Sequence, residues 1–163
     1  MAYSRSAGLL SVAVLGLASA LAMTAPSRAD DSIKTFSKKG AFADVKTDLT
    51  ETIVNRGLKI DYNGNIGAML ERTGADVGST KPVYKGAEFF TFCSAKLSRV
   101  MMEADPMNLG SCPYVMFIYE SVAKPGEVTV GYRVPGSRGD DASKKSLAEV
   151  EALLDGIAKE VVK

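Results

Sequence analysis

The chain has 163 residues, with 20 basic and 19 acidic side chains and no histidine. A formal net charge of +1 leaves no electrostatic footprint for nucleic acid or an anionic lipid surface. Without histidine, the Ser-His-acid and Cys-His catalytic arrangements are excluded. At the N-terminus, Arg5 precedes an almost wholly apolar run, residues 8–23, and small residues follow at Ser27 and Ala29. This order predicts a secretory signal peptide over residues 1–29, cleaved after Ala29. The apolar run falls short of the roughly 20 residues that span a bilayer, so no membrane insertion is expected after cleavage. Cleavage removes Arg5 and Arg28 and no acid, which leaves residues 30–163 close to neutral and long enough for one domain with a core. The product is expected in the periplasm or outside the cell.

Residues 33–37 alternate as a short strand, and Phe42, Val45, Leu49 and Ile53 then recur at helical spacing. Asn55-Arg56-Gly57 supplies a helix stop, residues 58–62 alternate as a strand, and Asn63-Gly64 is expected to end it. A short helix over residues 66–72 stops at Gly74, and residues 75–82 form a polar loop. The aromatic segment 87–93 predicts a buried strand. Residues 96–104 follow as a helix with Leu97, Val100 and Met101 inward, halted before Asp105-Pro106. Residues 114–122 and 127–134 are strands joined at Lys124-Pro125-Gly126, a hairpin. After a turn at 136–140, Leu147, Val150, Leu154, Ile157 and Val161 form one stripe of a helix over residues 143–162, with acids before it and Lys159 and Lys163 at its end. The order β-α-β-α-β-α-β-β-α predicts an α+β domain, with a mainly antiparallel sheet and helices on one face.

The chain's two cysteines, Cys93 and Cys112, flank the helix and turn between two strands. In an oxidising compartment they form a disulfide if those strands are neighbours, closing a loop worth about 3 kcal/mol. Two free thiols, or soft-metal ligation with Met101 and Met107, are the alternatives; sulfur ligands suit Cu(I). No C-x-x-C is present for redox catalysis, and no glycine-rich phosphate loop opens a helix. Arg99 and Glu103 stand at i, i+4 and predict a surface ion pair.

The segment from Cys93 to Glu120 resembles the domain of unknown function 302 family. Ala104-Asp105-Pro106 and Tyr119-Glu120 match its pattern of a helix ending in Ala-Asp-Pro and a strand ending in Tyr-Glu. Cys112-Pro113 reverses the Pro-Cys order common there, and Ile60-Asp61-Tyr62 stands where the family often has Ile-Asp-His. The resemblance covers roughly residues 33–135. It implies a compact domain likened to TATA-binding-protein-like folds, often dimeric, with no established reaction.

The expectation is therefore a non-enzymatic periplasmic domain that binds a small ligand or a periplasmic protein, with a homodimer as one possible form and no predicted cofactor. The candidate binding residues are Arg99, Asp105, Pro106 and Tyr114 beside Cys93 and Cys112, where strand ends and a helix terminus converge. The alternative is a thiol-redox or copper-handling protein built on the two cysteines. Intact mass of the protein recovered from the periplasm should correspond to a chain beginning at Asp30; a mass retaining residues 1–29 would refute cleavage.

Overall fold

The computed structural model describes residues 32–163, and the predicted signal peptide lies outside them. Five strands, β1 (Ile33–Lys39), β2 (Ile60–Asn65), β3 (Tyr84–Phe92), β4 (Tyr114–Ser121) and β5 (Glu127–Arg133), form one sheet in the order β1-β5-β4-β3-β2. Every pairing is antiparallel. The helices are α1 (Phe42–Asn55), α2 (Ile66–Thr73), α3 (Ala95–Ala104) and α4 (Asp141–Val161), with a 3-10 helix at Pro106–Ser111. The fold is α+β, as the order of elements predicts.

The strand period of two sorts the sheet residues onto two faces. Phe90, Met116 and Tyr132 stand side by side, as do Ile118 and Val130, and all are buried. On this face they join Val45, Leu49 and Ile53 of α1, Met101 of α3 and the α4 stripe in one core cluster. The stripe is fully enclosed at Leu147, Val150, Leu154 and Ile157. Burying each such side chain is worth roughly 1.5–3 kcal/mol.

Local signals set the ends. Helix α1 closes through Gly57 at φ 74°: the Gly57 amide donates to Val54 O at 2.8 Å and the Leu58 amide to Ile53 O at 3.4 Å. That is the left-handed termination glycine allows. The Asp140 carboxylate caps α4 by accepting from the Ser143 amide at 2.9 Å, so the helix starts at Asp141, slightly ahead of the expected 143.

Two strand boundaries differ most from the sequence reading. Asn63-Gly64 does not end β2, which runs to Asn65, because Gly64 sits opposite Phe89 and leaves room for that ring. β3 begins at Tyr84 rather than residue 87, because a bulge lets Tyr84 pair with Ser121 before Gly86 pairs with Glu120. The turn after α3 is wound into the 3-10 helix.

Charges tie α4 to the sheet. The Tyr132 hydroxyl donates to Asp155 at 3.1 Å, and Lys159 Nζ lies 2.6 Å from the same carboxylate. The Lys159 hydrogen bond, opposed by burial and helped by Tyr132, holds the Asp155 carboxyl below its usual range. Burial, then the charge of Asp155, pushes the Tyr132 hydroxyl well above the ordinary tyrosine range. A carboxyl depressed in the folded state stabilises it above the unfolded pKa of about 3.9, and that contribution is lost as pH falls through the lower folded value. Asp155→Asn should therefore lower stability by about 1 kcal/mol at neutral pH. Urea midpoints for the two proteins should converge as the pH is taken below about 4; a gap of constant size would show that the carboxylate charge is irrelevant.

Candidate functional site

Two regions gather polar or concave surface. The first is the end of the sheet where β3 stops and β4 starts. Phe92 and Tyr114 are cross-strand partners, so Cys93, which follows Phe92, and Cys112, which precedes Pro113 and Tyr114, come close together. They are joined as a disulfide with a Cα separation of 6.5 Å, inside the range such a bond needs. The Cys112-Pro113 peptide is cis.

Helix α3 leaves this corner under a Ser94 cap, whose hydroxyl accepts from the Leu97 amide at 3.4 Å. One turn on, Ser98 Oγ lies 3.1 Å from the Tyr114 hydroxyl and 3.7 Å from Cys112 Sγ. Tyr114 is buried, with its ring edge-on to Phe92 at 5.9 Å. Burial pushes its hydroxyl up from the ordinary tyrosine value, against the hydrogen bond with Ser98. The group holds its proton at neutral pH and serves as a hydrogen-bonding wall.

The other expected site residues are placed differently. Arg99 points outward, 78% exposed at its side chain, and pairs with Glu103 at 3.2 Å. Asp105 and Pro106 lie at the far end of α3. There Asp105 Oδ1 accepts from the Met107 amide at 2.9 Å and Pro106 opens the 3-10 helix, so both shape a turn. Cys93, Cys112 and Tyr114 therefore meet around Ser98, and Arg99, Asp105 and Pro106 do not join them. Met101 is enclosed in the core and Met107 is 72% exposed. Among the described residues, no three His, Cys, Asp or Glu are grouped to hold a metal ion.

Asn108 carries a role that the sequence reading missed. It is fully buried, and its Nδ2 donates to Met101 O and to Ser143 Oγ, both at 2.8 Å. One side chain thus fastens the end of α3 to the first turn of α4. Nearby, Arg138 Nη2 donates to Ser111 Oγ at 2.7 Å and to Pro135 O at 2.9 Å. The pocket between Tyr114, Arg133 and Arg138 holds about 180 Å³, below the ~300–1,000 Å³ of ligand sites.

The second region is larger. α2, the loop over residues 74–83 and the first half of β3 enclose a groove of about 740 Å³. Asn65 starts α2 by accepting from the Ala68 amide at 2.8 Å. Gly67 lets the helix close on β3, since a Cβ there would lie 3.1 Å from Ala87 N. The loop is drawn together by the Ser79 amide on Gly74 O at 2.8 Å and fastened to the sheet by the Val122 amide on Val83 O at 3.1 Å. Phe42 lies across Gly86 as part of the lining.

The lips of the groove are apolar and open: Leu70 is 40% exposed, Val77 74%, Val83 51% and Tyr84 36%. Deeper in, Glu88 is buried and accepts from Lys46 Nζ at 2.8 Å. Glu120, two residues along β4 from Ile118, the cross-strand partner of Glu88, is likewise buried and accepts from the Gly126 amide at 2.9 Å, with Lys85 Nζ at 3.7 Å. Each carboxylate has a cation beside it, which offsets the cost of burial. In sequence the one hint of this groove is a short glycine-flanked helix followed by a long polar loop.

Replacing both cysteines, Cys93→Ser with Cys112→Ser, should cost about 3 kcal/mol of folding stability by releasing the loop between them. Chemical denaturation measures it, with the far-ultraviolet circular dichroism unchanged; a loss near zero would mean that Asn108 and the core hold the corner without the bond.

The comparisons with known proteins agree with this architecture. No curated protein matches the chain. The crystal structure of an uncharacterized conserved DUF302 protein from Bacillus stearothermophilus is similar in fold, with a TM-score of 0.66 at 14% sequence identity, covering 80% of this chain and 98% of that one. The sequence profile of the domain of unknown function DUF302 matches residues 33–161. Fold and profile coincide over nearly all of the described residues, and the chain belongs to the DUF302 family.

Proposed function

We propose that this protein is a non-enzymatic periplasmic binding domain that takes a small amphipathic molecule in the groove between α2 and β3. The observation that carries the proposal is the groove itself: about 740 Å³ of concave space with Leu70, Val77, Val83 and Tyr84 left exposed along it. That volume lies in the range of small-molecule sites, which combine apolar walls with a few polar groups. Glu88, Lys85 and Lys81 supply those polar groups here. Exposed aliphatic side chains gathered at one concave place, rather than scattered singly, mark an interaction surface.

The groups in and near the groove suit binding better than proton transfer. Glu88 is engaged by Lys46, and Glu120 by a backbone amide and Lys85. A general base needs a free, tunable proton site within reach of substrate. The periplasmic part of the proposal rests on the N-terminal sequence. The thiol or copper alternative requires the Cys93–Cys112 bond to open first, since both sulfurs are spent on each other.

The dye 1-anilinonaphthalene-8-sulfonate, apolar with one anionic group, is a suitable probe. The native protein should enhance its fluorescence with a saturable single-site isotherm. Leu70→Glu and Val83→Glu alter exposed side chains and should leave the fold intact. Each should weaken binding about tenfold, the equivalent of about 1.4 kcal/mol. Arg99→Ala, on the outer surface of α3, should bind as the native protein does; equal binding by the two groove variants would rule the groove out as the site.

A further inference from the structure

The small pocket beside Tyr114 is lined by two arginines and, among the described residues, by no acid. Arg133 closes β5 and Arg138 lies in the loop before α4. Pro113, Val134 and Leu154 supply apolar wall between them. The Tyr114 hydroxyl is already engaged by Ser98, so the charged groups of this pocket are the two guanidiniums. At about 180 Å³ the space is too small for a drug-sized molecule, but a group of a few heavy atoms fits.

Arg138 is held in place. Its Nη2 donates to Ser111 Oγ at 2.7 Å and to Pro135 O at 2.9 Å, and its Nη1 to Met107 O at 3.5 Å. The Ser111 hydroxyl donates in turn to Pro135 O at 3.1 Å, which ties the group together. Gly110 and Gly136 flank the guanidinium: a Cβ would stand 3.7 Å from Nη1 at the first and 3.9 Å from Nη2 at the second. Every one of these acceptors is neutral, so the half-buried cation is positioned without being neutralised. Arg56 and Arg99 have carboxylate partners in Glu160 and Glu103, whereas among the described residues Arg133 and Arg138 have none. Asp105 and Asp140, the acids beside this loop, accept from the Met107 and Ser143 amides instead.

We propose that this pocket binds a small oxyanion, a phosphate, a sulfate or a short carboxylate, between Arg133 and Arg138. A concavity lined by charge of one sign concentrates counter-ions within it. Guanidinium groups match the spacing of oxyanion oxygens, and hydrogen bonds between opposite charges are stronger than neutral ones. The three protein contacts of Arg138 use only part of its donor set, and the rest are available to a ligand. Apolar wall at Val134 and Leu154 replaces water on one side and strengthens the attraction. This site shares no residue with the groove by α2, so it stands or falls independently of what that groove binds.

Nuclear magnetic resonance on isotope-labelled mature protein tests the proposal. Sodium phosphate, sodium sulfate and sodium acetate are titrated in turn, with sodium chloride holding the ionic strength constant. The amide signals of Ser111, Arg133 and Val134 should move saturably with at least one oxyanion, at a dissociation constant of about 1 mM. Response to phosphate and sulfate alone supports the site and assigns it to tetrahedral anions; response to acetate alone supports it and assigns it to carboxylates. Arg133→Gln changes an exposed side chain, should keep the fold, and should weaken binding about tenfold. Arg138→Gln should weaken it at least as much, and Arg133→Gln keeps the test decisive if the loss of the Ser111 and Pro135 contacts unfolds that variant. Arg99→Gln, on the outer side of α3, should bind as the native chain does. Shifts that never saturate, equal shifts on adding chloride, or unchanged affinity in Arg133→Gln overturn the proposal.

Discussion

The apolar stripe of α4, from Leu147 to Val161, shares one enclosed cluster with Val128, Val130 and Tyr132 of β5 and Met116 and Ile118 of β4. The other core elements are arranged around that contact. α1 and α3 both pack against α4 and complete the same layer with Leu49, Ile53 and Met101. Because α1, α3 and α4 gather on one side, the sheet is left with two unlike faces. One holds the core and the other carries rings laid over glycines. The same strand, β4, supplies Met116 and Ile118 to the first and Phe117 and Tyr119 to the second.

The disulfide has a narrower role than its place beside α3 suggests. Phe92 and Tyr114 are already in register, and Asn108 already links α3 to α4 from inside the core. The bond between Cys93 and Cys112 closes the strand-helix-strand unit by restricting the unfolded chain. Ser98 then binds the buried Tyr114 hydroxyl beside the sulfurs. A corner so fully paired within itself has little polar capacity left for a ligand. The groove by α2 differs: a loop walls it, and aliphatic side chains along it are left exposed.

Tyr84 belongs to both remaining surfaces. The bulge in β3 turns it toward Tyr119, with ring centroids 5.6 Å apart, while it also lines the groove. The groove and the open sheet face are therefore adjacent, and one half-exposed ring stands at their boundary.

Much of this was legible in the residues. The order of elements, the hairpin at Lys124-Pro125-Gly126, the stripe of α4 and the Arg99–Glu103 pair follow from periodicity, turn chemistry and helical spacing, all local properties. Family membership was legible in Ala104-Asp105-Pro106 and Tyr119-Glu120. The misplaced ends of β2 and β3 have a tertiary cause: Gly64 is a strand residue because Phe89 needs the space above it, and Tyr84 joins β3 because Ser121 lies across from it. The roles of Asn108 and Glu88 were invisible for the same reason, and the groove was only hinted at by a short helix and a polar loop. Asn108 meets a partner 35 residues away and Glu88 one 42 residues away, and no local pattern records such pairs. The sequence by itself determined which segments are helix or strand and that two thiols flank one of them. Tertiary structure decided which strands are neighbours, and so which faces are covered, where the sulfurs meet and where a cavity remains, because those depend on contacts between residues distant in the chain.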